Sequence, residues 1–448
     1  MLSISEAEAR AAALVERAAR AGADAADALY YADASTSVQV RLGELEDVSR
    51  AEGEAISLRF FRGRRSASVT SSDLSDEALT ALVERAAAMA LEAPEDPWSG
   101  LAPEDRLLRE EGADVEGDDG GDPAPVELKA LALAIEGAGR SVAGITNSEG
   151  AGASAGRTVT ALATSHGFCR GYSTSGYSAS VSLIAGSGAE MQRDYAHHSV
   201  RHHSDLDDPD TLGRLAAERT VARLRPARLP SGTMPVVFDP RAGDTLISHL
   251  TAAIGGPAIT RRTSFLLEKL GEAVFADGVS IRDDPHRRRG LRSKPFDGEG
   301  VATRPSNLVE EGRLTGWLLD SASARQLGLA PTGHAARGSA GAPGVGASNV
   351  HIEPGPLTPG QLIGEVEHGL YVTQLIGQGI NPVTGDYSRG ASGFIIEQGR
   401  LGPPVEEITI AGNLLDMFGA LTAADDLEHR RALNVPTLRV EGMTVAGA

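Results

Sequence analysis

Apolar and polar positions recur along the chain with two different periods, and the changes of period mark out its elements. From Ser5 the period is helical. Ala11, Leu14, Val15 and Ala18 share one face, Ser5 and Glu8 have capping-box spacing, and Gly22 stands where such a helix stops. The period drops to two over Asp27 to Tyr31, Ser37 to Leu42, Ala55 to Phe61 and Ser66 to Thr70, which predicts an antiparallel meander with one covered face. Ser75 is placed to cap a second helix that buries Leu79, Leu82, Val83, Ala86 and Met89. Helices are predicted again around Val126 to Ala138 and over Asp208 to Leu224. Between them, Ala143 to Tyr195 reads as several Ser-, Thr- and Gly-rich strands.

Arg225 to Gly232, with two prolines and a glycine, predicts a domain boundary, giving an N-terminal domain over 1–224 and a C-terminal domain over 233–448. Met234 to Phe238 reads as a buried strand. Asp239-Pro240 then opens a helix with Ala242, Leu246, Ile247, Leu250 and Ile254 on one face, ending at Gly255-Gly256. The remainder is short strands with turn signals, among them Glu310-Glu311-Gly312 between Leu308 and Leu314 and a mobile or closely packed glycine-rich loop from Gly333 to Asn349. The fold class predicted is α+β: an N-terminal α/β-type domain of antiparallel sheet and packing helices, then a mainly antiparallel, barrel-like β domain.

Length agrees with two cores, since 448 residues exceed one ordinary domain. Charge narrows the partners: 42 basic against 61 acidic side chains give −19, which repels phosphate backbones and anionic lipid. Neither nucleic acid nor a membrane surface is an expected partner. The acidic residues crowd 110–127, which reads as a solvated linker or loop. The lone Cys169 excludes an internal disulfide and a Cys-based zinc cage, and reads as a small buried hydrophobe. There is no apolar run of about 18 residues, and Glu6 and Glu8 follow Met1 too closely for a signal peptide, so a cytoplasmic protein is expected.

Three local patterns invite a chemical reading, and for each a simpler reading is favoured. Gly152-Ala153-Ser154-Ala155-Gly156 matches a nucleophile elbow, but a strand pattern, not a helix, follows at Thr158 to Thr164. His197, His198, His202 and His203 form the densest set of potential metal ligands. On a helix His198 and His202 would share a face, but Ser199 stands where a water-activating acid is needed, and a solvated cluster is the simpler reading, with His198 and His202 weak metal candidates. Gly341 to Ser348 lacks the Gly-Lys-Ser/Thr and the following helix of a phosphate cradle.

The most specific stretch runs from Asn381 through Thr384-Gly385-Asp386-Tyr387-Ser388-Arg389-Gly390 to Glu397, and then from Pro404 to Leu414. Gly385 and Gly390 there would permit positive φ, and Phe394, Ile396, Ile408 and Ile410 alternate as packed strands. With Met191 to Tyr195, Phe296 to Val301 and Pro436 to Val440, these motifs in this order resemble the TldD/PmbA family, and within it the PmbA (TldE) branch. The resemblance covers most of the chain. It implies a cytoplasmic two-subunit zinc metalloprotease that trims unfolded or modified peptides. In the TldD branch zinc is held by a His-Glu-x-x-x-His helix and a later cysteine. The corresponding positions here are Ser248, His249 and Ala253, and Asp426 to Pro436 contains no cysteine.

The resemblance therefore implies a subunit without catalytic residues or a metal of its own, paired as a heterodimer with a zinc-bearing TldD-like partner and bordering a cavity for extended peptide. His249, Asp386, Tyr387, Arg389 and Asn413 are the candidates for that border or for the surface facing the partner. Two alternatives stay open: a peptide-binding scaffold that pairs with itself, using one surface isologously, and a peptidase with an atypical metal site at His197 to His203.

Overall fold

The computed structural model describes residues 1–338 and 341–447; of the glycine-rich loop, Ser339 and Ala340 lie outside the described residues. The N-terminal half follows the order α1 (Ile4–Arg20), β1 (Ala25–Arg41), β2 (Glu44–Arg62), β3 (Arg65–Ser71), α2 (Asp76–Glu92), α3 (Pro125–Arg140), β4 (Ile145–Thr164), β5 (Cys169–Ala185), β6 (Gln192–Val200) and α4 (Pro209–Ala222). Its strands make one antiparallel sheet in the order β3-β2-β1-β4-β5-β6.

Several elements differ in detail from their sequence expectation. The capping box of α1 uses Ser3 and Glu6, two residues before Ser5 and Glu8, because the Glu8 carboxylate accepts from the Gly171 N–H on β5 instead. Asp27 to Tyr31 and Ser37 to Leu42 are the two ends of one strand, whose small and polar middle hides its continuity. That strand turns into β2 through Leu42 and Gly43, both at positive φ (54° and 86°). The buried Glu136 carboxylate on α3 accepts both turn N–H groups at 2.8 Å, holding Leu42 in a conformation it would otherwise avoid. Residues 44–54 of β2 are exposed, since β3 pairs only with Ile56 to Arg62. On α2, Met89 is exposed and Ala90 takes its place in the core.

The acidic stretch is a fitted strap rather than a solvated linker. Val115 is buried, and its carbonyl accepts from Arg289 N–H at 2.7 Å. Asp118 accepts from Arg157, and Asp119 from the Tyr177 hydroxyl and the His203 N–H. Cys169 is exposed at the start of β5, beside the Glu8 carbonyl of α1, and is not a core residue. Ser154 sits mid-strand in β4, sharing a hydrogen bond with Ser178, so no elbow forms around it.

Strand alternation gives the sheet two different faces. Ala26, Ala28, Tyr30, Ala32, Val38 and Val40 of β1 point toward α1 and α2 at one end and α3 and α4 at the other. Asp27, Leu29 and, on β2, Ser57 and Arg59 point the opposite way, into the C-terminal half.

That half continues β7 (Gly232–Phe238), α5 (Pro240–Ala253), α6 (Gly256–Thr260), β8 (Ile281–Asp283), β9 (Ser306–Glu310), β10 (Arg313–Leu314), α7 (Ser321–Leu327), β11 (Ala335–Ala336), β12 (Gly344–Val345), β13 (Val350–Ile352) and α8 (Pro359–Gly364). It ends with β14 (His368–Ile376), β15 (Asp386–Glu397), β16 (Arg400–Asn413), α9 (Leu414–Gly419), β17 (Leu421–Ala423), β18 (Leu433–Asn434) and β19 (Leu438–Ala446). Strands β16, β15, β14, β7 and β19 lie side by side, and β19 returns to pair with β16 at Thr409 to Ala411, closing a five-stranded barrel. Only the β7–β14 pairing in it is parallel. Phe238, Leu246, Leu250, Ile408, Ile410 and Val445 share its core with α5.

The two halves meet at an apolar patch and an ion cluster. Phe168 packs edge-on against Phe296 with centroids 5.1 Å apart. Beside them the Asp27 carboxylate accepts from Arg59 at 2.5 and 2.8 Å and from Arg337 at 2.6 Å, while Glu299 lies 3.7 Å from Arg59. All four side chains are under a tenth exposed. Replacing Asp27 by Ala leaves two buried guanidiniums without their central carboxylate, a loss of about 3–5 kcal/mol. Chemical denaturation is expected to show a lowered midpoint for Asp27→Ala and an unchanged one for Asp47→Ala on the exposed part of β2.

Candidate functional site

Helix α5 positions the first candidate residue. Asp239 caps it, accepting from Arg241 N–H at 3.0 Å, and Pro240 fits the first turn, where no N–H is required. Ala242, Leu246, Ile247, Leu250 and Ala253 face the core while Ser248 and Ala252 face solvent. His249 lies at the margin between the two, half-buried, with its ring 6.2 Å from that of Tyr387 at 67°.

The start of β15 brings in the others. Gly385, at φ +80°, closes the Asn381 to Asp386 turn, its N–H donating to the Asn381 carbonyl at 2.8 Å. Tyr387 and Arg389 follow two residues apart, hence on one face of β15. Gly390 is extended in the strand, opposite Ile376 and Thr409, and contributes no positive φ. The glycine that is required lies further on: a Cβ on Gly393 would stand 1.8 Å from the Tyr371 carbonyl, at a bulge where β14 approaches closely.

The five candidates thus separate into two groups. Asp386 and Asn413 are register partners and fasten the turn. The Asn413 amide donates to the Thr384 carbonyl at 2.9 Å and to Asp386 at 3.3 Å, and its oxygen caps α9. His249, Tyr387 and Arg389 form the second group, and each has a buried polar atom without a hydrogen-bond partner among the described residues: His249 Nε2, the Tyr387 hydroxyl and Arg389 Nε. Three such atoms together are unusual, because buried polar groups are normally paired. Burial, aided by the Arg389 charge, lowers the His249 pKa to about 4, and burial raises that of Tyr387 against the pull of Arg389. At neutral pH the site therefore offers a neutral imidazole, a neutral phenol and a guanidinium, which suits hydrogen bonding to a polar main-chain group and makes His249 a weak base.

His198 and His202 do not converge. His198 is on β6 and His202 in the turn beyond it, so the helical spacing does not apply. His198 Nδ1 accepts from Asp207 N–H at 3.1 Å, and His202 Nε2 meets the Glu116 carbonyl at 2.8 Å. His197 stacks on Tyr195 and His203 leans on Tyr177, both remaining exposed, so the four rings do not converge on one centre. Among the described residues no three His, Cys, Asp or Glu side chains group as metal ligands.

Sequence spacing gave no sign of what anchors α5. Arg241 on its first turn donates to the buried Asp194 of β6 at 2.7 Å, Arg223 stands 3.5 Å from the same carboxylate, and Tyr371 of β14 donates to Asp239 at 3.1 Å. Asp194 falls within the Met191 to Tyr195 motif, which is the one signal that marked it.

Comparison with known proteins places this geometry. Residues 26–90, 118–224 and 231–447 match, in turn, domain 1, the central domain and the C-terminal domain of the PmbA/TldA metallopeptidases. The chain is 37% identical over 426 residues to Metalloprotease PmbA of Escherichia coli, covering 95% of this chain and 92% of that protein. It is 38% identical to a Metalloprotease PmbA homolog of Haemophilus influenzae, covering 97% and 94%. A putative modulator of DNA gyrase from Bacteroides thetaiotaomicron superposes with a TM-score of 0.92 at 26% identity over the whole of both chains. TldE from Thermococcus kodakarensis shares the fold, with a TM-score of 0.87 at 22% identity over 97% and 99%.

The depressed His249 pKa fixes a pH dependence. Unfolded, the imidazole takes up a proton near its ordinary value of 6.5; folded, it resists until about 4. Its contribution to stability is therefore full above 6.5 and is lost as pH falls toward 4. In denaturation measured across that window, His249→Leu is expected to flatten the decline relative to the parent chain.

Proposed function

Because this chain belongs to the TldD/PmbA metallopeptidase family, we propose that it is the PmbA/TldE-type subunit, without a catalytic metal of its own. In this reading it pairs with a zinc-bearing TldD-like subunit and helps to enclose extended or modified peptides. The observation that carries the reading is the donor set on α5. A zinc peptidase site needs two or three imidazole, carboxylate or thiolate ligands plus an acid to activate water. Here the helix presents an exposed Ser248, a half-buried His249 without an adjacent acid and a buried Ala253, and Asp426 to Pro436 supplies no thiolate. These residues do not fit zinc.

What remains is suited to holding rather than cutting. Neutral His249 and Tyr387 beside Arg389 supply hydrogen bonds for main-chain amides, the groups an extended peptide presents. Chemistry would then fall to the partner, with this chain shaping the cavity and orienting the chain to be cut.

Co-expression with a TldD-like protein of the same source tests this. A stable heterodimer is expected, with peptidase activity that is lost when either chain is omitted and with zinc confined to the partner. Stoichiometric zinc in the isolated chain, removed by His198→Ala, would overturn the assignment, as would partner activity indifferent to this chain. A complex that forms but tolerates Tyr387→Phe combined with Arg389→Gln without a rise in KM would remove the peptide-holding role from the α5–β15 site.

A further inference from the structure

A cleft of about 410 Å³ opens where the two halves meet, lined by no residue of α5 or β15. His198 and Ser199 of β6 and Arg201 beyond it form the N-terminal wall, and residues 287–291 and 429–431 form the other. Six arginines line it: Arg201, Arg287, Arg288, Arg289, Arg430 and Arg431, with Asp205 the one lining carboxylate. In a chain of net charge −19 this is a sharp local reversal of sign.

Four of the six are neutralised from outside the cleft or at its rim. Arg288 and Arg289 share Glu116, Arg289 also meets Asp205 at 2.9 Å, Arg430 pairs with Asp207, and Arg431 meets Asp244 at 2.5 Å. The other two are different. Arg201 donates to the main-chain carbonyls of Ser175 and Leu291 and keeps a buried Nε without a partner. The Arg287 guanidinium makes no hydrogen bond or ion pair with the described residues, and Asp284 and Glu353 act on it only at longer range. The surrounding field registers on both imidazoles of the cleft. Burial and Arg430 hold the His198 pKa below its ordinary value, while burial, Arg287 and His351 hold that of His429 at about 4. A half-buried cation whose counter-charges act only at a distance leaves room for an anion to pair with it directly.

We propose that this cleft binds the side-chain carboxylates of an acidic, extended peptide segment. Planar guanidiniums suit bidentate contact with carboxylate. At about 30 Å³ per displaced water the cleft holds roughly a dozen waters, far more than one small ion needs. It also runs along the end of β6, a sheet-edge strand paired, among the described residues, with β5 alone. The inference is independent of the pairing proposed above, because it is read on the isolated chain.

Fluorescence anisotropy with a labelled, C-terminally amidated peptide of alternating Glu and Ala tests it, against the same peptide with Gln for Glu. The Glu peptide is expected to bind, more weakly as salt is raised, and the Gln peptide not to bind. Arg287→Gln is expected to weaken binding about tenfold and Arg287→Lys to restore part of it, with the thermal transition unchanged, since the Arg287 contacts to the fold run through its main chain, which both variants keep. Equal binding of both peptides, or indifference to Arg287→Gln, would overturn the proposal. Binding of inorganic phosphate that depends on Arg287, with none of the Glu peptide, would overturn it in favour of a phosphate site.

Discussion

The carboxylate of Asp27 is the point on which the arrangement of the two halves depends. It stands on the face of β1 turned away from the helices, and it is flanked by a guanidinium from its own sheet and another from the C-terminal half. Taking three charges out of water is costly, and the cost is recovered only if the guanidiniums meet the carboxylate in the observed geometry. The cluster therefore contributes less to total stability than to choice of orientation. An apolar patch such as Phe168 on Phe296 tolerates sliding, whereas a buried Asp between two arginines does not.

Fixing that orientation has consequences for the site. Helix α5 belongs to the barrel half, yet its first turn is tied by Arg241 to Asp194 of the sheet half. Barrel closure by β19 on β16 then fixes where β15 lies, and the Gly393 bulge lets β14 come close enough to carry Tyr371 to Asp239. His249 and Tyr387 come together through this sequence of constraints, with no direct bond between them. Their unpartnered atoms are buried, and they are held in place by the packing of α5 against β15 rather than by hydrogen bonds of their own.

Where one principle dominated, the sequence was readable. Helices α2 and α5 followed from periodicity and their capping residues, α1 from periodicity alone, and strand β7 from an unbroken apolar run. The expectations failed where tertiary contact overrode local signal. Ser5 and Glu8 had the spacing of a capping box, but Glu8 was claimed by Gly171. The acidic strap had the composition of a linker, but its carboxylates meet arginines and hydroxyls more than 30 residues away. Cys169 had the chemistry of a core residue and the position of a strand end. In the site, the pairing of Asp386 with Asn413 was implicit in two adjacent strand patterns. The Asp194–Arg241 contact spans 47 residues and had no periodicity to announce it.

The exposed length of β2 from Glu44 to Glu54 has a consequence for how copies of the molecule behave toward one another. Beyond the reach of β3 it leaves a row of unpaired main-chain groups, the kind of border along which identical sheets add to each other. That border carries Glu44, Glu46, Asp47, Glu52 and Glu54 against a single Arg50. Two such borders brought together meet as like charges, which opposes the edge-to-edge addition of one copy to another.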